Sequence, residues 1–180
     1  MIKEKTDTAL LYSNQSVAEQ NSVDLGWDLL MEEQFLDLRR AIYTTESELQ
    51  RFRQMLVNTI MATDIMDKDL KKLRNDRWEK AFSTEDSIVE SSRDQQIDRK
   101  ATIVIEHLIQ ASDVAHTMQH WHVYIKWNEK LFHEMYRAFL EGRSDTDPSE
   151  GWYKGEIGFF DFYIIPLAKK LKECGVFGVS

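Results

Sequence analysis

TESELQRFRQMLVNTI, residues 45 to 60, opens on a threonine with a glutamate three positions later. In that pairing each side chain satisfies a backbone N–H that the start of a helix leaves unbonded. Leu49, Phe52, Leu56 and Ile60 then recur every three or four residues, which places them on one face of an α-helix. The spacing predicts a helix from Thr45 to about Leu73.

The same period governs most of the chain. Val23, Trp27, Leu30 and Met31 mark an earlier helix, and Ile97, Ala101, Val104 and Leu108 a later one. Tyr124, Trp127, Leu131 and Met135 mark another, which stops at Gly142, a residue free to take the left-handed backbone of a helix end. A last helix is predicted over Glu156 to Cys174, capped by Gly175 and kinked or divided at Pro166. Only 2 Pro and 7 Gly interrupt 180 residues, so the chain reads as all-α. Ser83 to Arg93 and Arg143 to Gly155 read as loops, with no internal repeat and no low-complexity tract.

Apolar residues make up 42% of the sequence and aromatics 11%, enough for one domain to bury a core. A formal net charge of −8 repels a phosphate polymer, and the pairs Arg39-Arg40 and Lys169-Lys170 are too short to offset it; nucleic acid is not an expected partner. The single Cys174 makes no internal disulfide, and the first thirty residues lack an apolar signal core. No run approaches the roughly 18 apolar residues of a membrane span. A cytoplasmic setting is expected, or the cytoplasmic side of a membrane if an anchor lies upstream.

QASDVAHTMQHWH, residues 110 to 122, gathers one aspartate and three histidines. On a continuous helix Asp113, His116 and His120 share a face, and His116 with His120 has the spacing that can chelate a metal. The alternative is a solvated helix face, since no glutamate follows His116 as in the zinc-protease pattern. DTDPSEGWYKGE, residues 145 to 156, has oxygen side chains at positions of a calcium loop, but Glu150 replaces the required glycine and Pro148 stiffens the backbone. A polar connection is the better reading. Trp121, Tyr124, Trp127, Phe159, Phe160 and Phe162 suit either a core or a stacking platform. No GxSxG, CxxC or phosphate-cradling glycine loop is present.

Several stretches, taken in order, resemble the class I 3′,5′-cyclic-nucleotide phosphodiesterase catalytic domain. ALLYSNQSVAEQNSVDLGWDLL resembles the family segment that carries Tyr12, Ser16, Val17, Glu19 and Gly26, and MATDIMDKDL resembles its ATDM segment through Ala62, Thr63 and Asp64. QASDVAHT lies where the family has CADxSNP, YIKW places Tyr124 and Trp127 on its pocket tyrosine and tryptophan, and GEIGFFDFYIIPL resembles QxGFxDxxxxPL.

The resemblance implies residues 1–180 as one partial catalytic domain, all-α and incomplete at both ends. It implies hydrolysis of cyclic AMP or cyclic GMP to the 5′-monophosphate in signal transduction, with a zinc ion and a magnesium or manganese ion that activate a bridging hydroxide. Asp113 would be a metal ligand, and Glu19 and Thr63 would orient metal-bound water. Phe159 would stack on the purine, Tyr124 and Trp127 would line the pocket, His116 would take the place of its asparagine, and Glu156 that of its base-recognising glutamine. Upstream membrane or regulatory domains and a homodimer are further expectations.

The chain also departs from the family. It contains no HDxxH, so three expected metal ligands and the histidine that protonates the leaving oxygen are missing, and the family's paired histidines are Asn21 and Ser22. Catalytic metals need about three protein ligands, so the chain alone is expected to be inactive. It is then either a fragment of an active enzyme, as the ending at Gly175 to Ser180 suggests, or a non-catalytic binding or interaction module. Glu156, as a carboxylate, only accepts hydrogen bonds. That favours guanine, with its adjacent N–H donors, over adenine; the alternative role is a negative side chain at the start of its helix.

Overall fold

The computed structural model describes residues 3–82 and 93–175, and every regular element among them is helical. In chain order these are α1 (Asp7–Leu11), α2 (Val17–Met31), α3 (Leu36–Ile42), α4 (Glu46–Met61), α5 (Lys68–Phe82), α6 (Arg93–Asp113), α7 (Trp121–Leu140), α8 (Trp152–Phe159) and α9 (Ile165–Glu173). Short 3-10 turns cover Glu33–Phe35, Ala115–Met118 and Pro148–Glu150, and a π-helical segment, Phe160–Ile164, joins α8 to α9. Residues 83–92 of the predicted first loop, and 176–180 of the chain end, lie outside the described residues. No described helix is long and apolar enough to cross a membrane.

The chain divides into two compact units, Met1–Ile109 and Gln110–Ser180. In the first, Thr45 and Glu48 form the reciprocal cap read from the sequence: the Glu48 amide donates to the threonine hydroxyl at 3.2 Å, and the Thr45 amide donates to the carboxylate at 3.0 Å. The Thr44 amide and hydroxyl also donate to that carboxylate, and together with Thr45 they hold Glu48 down at about 2. The cap is therefore intact near neutrality and weakens as the pH falls from the ordinary glutamate value toward 2. Thr45→Ala is expected to cost about 1 kcal/mol, as a drop in unfolding free energy in urea.

The helix predicted from Thr45 to Leu73 is in fact two. Asp64, almost fully buried, turns the chain after α4 by accepting from the Met66 and Asp67 amides at 2.9 and 3.0 Å. Asp67 then caps α5 through the Asp69 and Leu70 amides. The Ser16 hydroxyl donates to the other Asp64 oxygen at 2.6 Å from the left-handed residue that starts α2. Burial pushes the Asp64 carboxyl up, but these three donors and the Arg74 guanidinium outweigh it and hold the group below its ordinary value. Trp78 stacks on Phe82 and meets the His107 ring at a tilt of 53°, beside the buried Ala81, Ile103 and Val104.

In the second unit, α7 ends as predicted before Gly142, whose φ is +71°. The final helix starts a full turn earlier than Glu156, at Trp152, and Gly175 again takes a φ of +71° beyond its end. The division expected at Pro166 falls just before it, in the π segment between α8 and α9, and Pro166 stands in the first turn of α9. A proline has no N–H for the carbonyl four residues back and its ring crowds that carbonyl. The π turn just before, closed by the Ile165 amide on the Phe160 carbonyl, widens the helix where that bond is lost. Ile164, Leu167 and Leu171 are its buried side.

Candidate functional site

The stretch 110–122 is not one helix. α6 ends at Asp113, a 3-10 turn covers Ala115–Met118, and α7 starts at Trp121, so Asp113, His116 and His120 sit on three separate pieces of backbone rather than one face. His120 meets His122 instead, with their Nδ1 atoms 2.8 Å apart. Asp113 is exposed at the end of α6. Glu19 on α2 is half-buried, and the Thr63 hydroxyl donates to the Ile60 carbonyl at 2.8 Å; both belong to the first unit. Among the described residues no three His, Cys, Asp or Glu side chains come together to hold a metal ion. The donors present therefore do not match the three protein ligands a catalytic metal takes.

An open cavity of about 610 Å³ lies between α7 and α8 in the second unit. Its walls include Trp121, Tyr124, Ile125 and Asn128 from α7, and Trp152, Tyr153, Glu156 and Ile157 from α8, with Phe160 and Asp161 at the π turn. The arrangement follows from helical spacing. Trp121, Tyr124, Ile125 and Asn128 fall on one face of α7, and Trp152, Tyr153, Glu156 and Ile157 on one face of α8. The walls are mainly apolar with few polar groups, the composition expected of a small-molecule site.

Tyr124, Asn128, Trp152 and Glu156 form one network. The Tyr124 hydroxyl and the Asn128 Nδ2 both donate to Glu156 Oε2. Asn128 Nδ2 also donates to the Tyr124 oxygen at 3.3 Å, and the Trp152 indole Nε1–H donates to Asn128 Oδ1 at 3.0 Å. Burial, together with the hydrogen bond to Glu156 and its negative charge, pushes the Tyr124 hydroxyl far above its ordinary value, so it stays a donor at neutral pH. Glu156 is thus not a helix cap: Gly151 starts α8, and the carboxylate in its second turn is held by α7.

Of the other residues singled out in the sequence, Trp127 is 52% exposed, outside the cavity wall, with Lys130 over its ring and His116 tilted against it at 6.2 Å. Phe159 stacks on Tyr163 at 5.3 Å and is not among the lining residues; Phe160 is, set edge-on to Tyr124 at 5.6 Å. The loop from Asp145 spends Asp147 on the Ser149 amide and hydroxyl, at 2.8 and 2.7 Å, to cap its 3-10 turn. Asn128 and Trp152 carried no signal of their own. Their one trace is spacing, four residues after Tyr124 and four before Glu156.

The family model described as 3′5′-cyclic nucleotide phosphodiesterase matches residues 1–175. The dual specificity calcium/calmodulin-dependent 3′,5′-cyclic nucleotide phosphodiesterase 1B of Bos taurus is 21% identical over 184 residues, covering 96% of this chain and 30% of the relative. Its counterpart from Mus musculus matches with the same identity and coverage. Among solved structures, the phosphodiesterase domain of the RhoPDE fusion protein from the choanoflagellate Salpingoeca rosetta superposes with a TM-score of 0.70 at 21% identity, over 96% of this chain and 54% of that one. The chain thus spans 30% of the length of these curated relatives.

Proposed function

We propose that this chain, which belongs to the 3′5′-cyclic nucleotide phosphodiesterase family, supplies the base-binding wall of an enzyme that hydrolyses cyclic AMP or cyclic GMP to the 5′-monophosphate. The observation that carries this reading is the cavity between α7 and α8, where Tyr124 and Asn128 hold Glu156 against aromatic walls. A purine is flat and carries its hydrogen-bonding groups on its edge. Apolar faces from Trp121, Trp152 and Phe160 suit its plane, and a fixed carboxylate suits its edge. Glu156 Oε2 is already taken by two donors, and Oε1 accepts from no described residue. Guanine offers N1–H and N2–H side by side to such an acceptor, while adenine sets a ring-nitrogen lone pair next to its amino group. Cyclic GMP is the favoured ligand.

Two-metal hydrolysis is the parent chemistry in this reading, and Asp113 would be one metal ligand within it, the described residues bringing no further donors to it. Residues 1–180 are then part of a longer catalytic domain, which the coverage of solved and curated relatives supports. A nucleotide-binding module without catalysis is the second reading, favoured by the missing cluster of metal donors among the described residues.

Titrating the 180-residue chain with cyclic GMP and cyclic AMP, followed by tryptophan fluorescence, tests the reading. Binding of cyclic GMP is expected, without release of 5′-GMP even in excess zinc and magnesium. Phe160→Ala is expected to weaken binding about tenfold, the worth of a stacked base contact. Phe159→Ala is expected to do less if its ring stays on Tyr163 and more if the family role of stacking on the purine falls to it. No binding of either nucleotide would sink the proposal.

A further inference from the structure

His120 and His122 are two positions apart, a spacing that inside a helix keeps side chains from facing each other. His120 is not helical: its backbone is extended, at φ −58° and ψ 143°, and α7 begins one residue later at Trp121. That bend at the helix start lets the two rings meet, with centroids 4.5 Å apart, planes at 46° and Nδ1 atoms 2.8 Å apart. Both residues are exposed, and among the described residues neither ring takes part in another hydrogen bond or ion pair. A neutral imidazole carries a proton on one ring nitrogen and a lone pair on the other. The contact therefore uses one Nδ1–H and one Nδ1 lone pair. Moving the donor's proton to the Nε2 of its own ring leaves two Nδ1 lone pairs side by side, with no proton lost. A small turn of each exposed ring about its Cβ–Cγ bond then aims both at one ion.

The separation selects the ion. Imidazole–metal bonds run about 2.0–2.1 Å, so two nitrogens at right angles on one ion lie about 2.9 Å apart, and at the tetrahedral angle about 3.3 Å. The 2.8 Å between the Nδ1 atoms matches the right angle. Right-angled nitrogen ligands belong to tetragonal Cu(II) or Ni(II), whereas zinc takes a tetrahedral set. Cu(II) also binds nitrogen ligands more tightly than Ni(II) or Zn(II) does. We propose that His120 and His122 form a binding site for Cu(II), held through both Nδ1 atoms with water in the remaining positions of the plane. Gln119 and Trp121, their neighbours in sequence, line the cavity between α7 and α8, so the ion sits at its rim. The proposal does not depend on what that cavity binds.

The test is a titration of the 180-residue chain with Cu(II) in a non-coordinating buffer, with Cys174→Ser in every protein used so that the thiol does not reduce the ion. One equivalent is expected to bind, giving a tetragonal electron paramagnetic resonance spectrum split by two nitrogens. His120→Ala and His122→Ala are each expected to weaken binding about a hundredfold, the gain that comes from joining a second ligand to the first. Both positions are exposed, and far-ultraviolet circular dichroism checks that the helices are intact in each variant. His133→Ala, which removes an exposed histidine 3.9 Å from Glu129 on α7, is the control and is expected to keep the affinity within twofold. Zn(II) is expected to bind at least tenfold more weakly than Cu(II). No binding, a spectrum without nitrogen splitting, a tighter hold on Zn(II), or an affinity that both alanine variants at 120 and 122 retain would overturn the proposal. So would an equal loss in His133→Ala.

Discussion

Replacing Arg77 with alanine is expected to destabilise the first unit by about 3 kcal/mol near neutral pH, because it strips the partner from a buried carboxylate. Glu106 is 2% exposed, and the Arg77 guanidinium reaches both of its oxygens, at 2.9 Å to Oε1 and 3.2 Å to Oε2. Burial raises the Glu106 carboxyl above its ordinary value, against the pull of Arg77 and Arg74. An acid with a raised folded-state value binds its proton more tightly in the fold than in the unfolded chain. Stability is therefore fullest below the unfolded glutamate value and falls as the pH rises through the folded one. Removing Arg77 raises that value further, so the cost of the substitution should be small at pH 4 and complete at pH 7. Urea unfolding of both proteins at the two pH values checks this. Changing Glu106 to leucine together with Arg77→Ala should recover most of the loss, since no charge then remains without its partner. A cost independent of pH would mean that Arg77 acts through packing alone.

Glu156→Gln should lower the preference for cyclic GMP over cyclic AMP at least tenfold, mainly by admitting cyclic AMP. A carboxamide can donate to the adenine ring nitrogen that a carboxylate repels, and tenfold is about 1.4 kcal/mol, within the range of one such exchange. The substitution also removes the charge that Tyr124 and Asn128 now serve, so some cyclic GMP affinity should go with it. Equal affinities measured by fluorescence for both nucleotides in the unsubstituted chain, unchanged in the variant, would exclude Glu156 as the discriminating group.

What could be read from the sequence was what is local. The cap at Thr45 and Glu48 needs four consecutive residues and formed as read; Gly142 and Gly175 end their helices because left-handed backbone is a property of the residue itself. The break after α4 was not legible, because Asp64 makes it with amides two and three residues on and is steadied by Ser16, 48 positions away. The histidine face failed for a related reason: periodicity assumes a continuous helix, and nothing in residues 113 to 121 announces that one stops and another starts. At the candidate site, family likeness picked out Tyr124 and Glu156 one by one. That they share a hydrogen bond, with Asn128 and Trp152 completing the network, depends on how α7 and α8 pack, which no single stretch encodes.

The most direct test is a proton–nitrogen correlation spectrum of the labelled chain recorded with and without cyclic GMP. Binding in the α7–α8 cavity predicts that the indole N–H peaks of Trp121 and Trp152 and the Asn128 side-chain amide peaks shift together, while the indole peaks of Trp27 and Trp78 in the first unit stay in place. A spectrum unchanged at millimolar nucleotide, or one in which only Trp27 and Trp78 move, would contradict the assignment of the cavity as the nucleotide site.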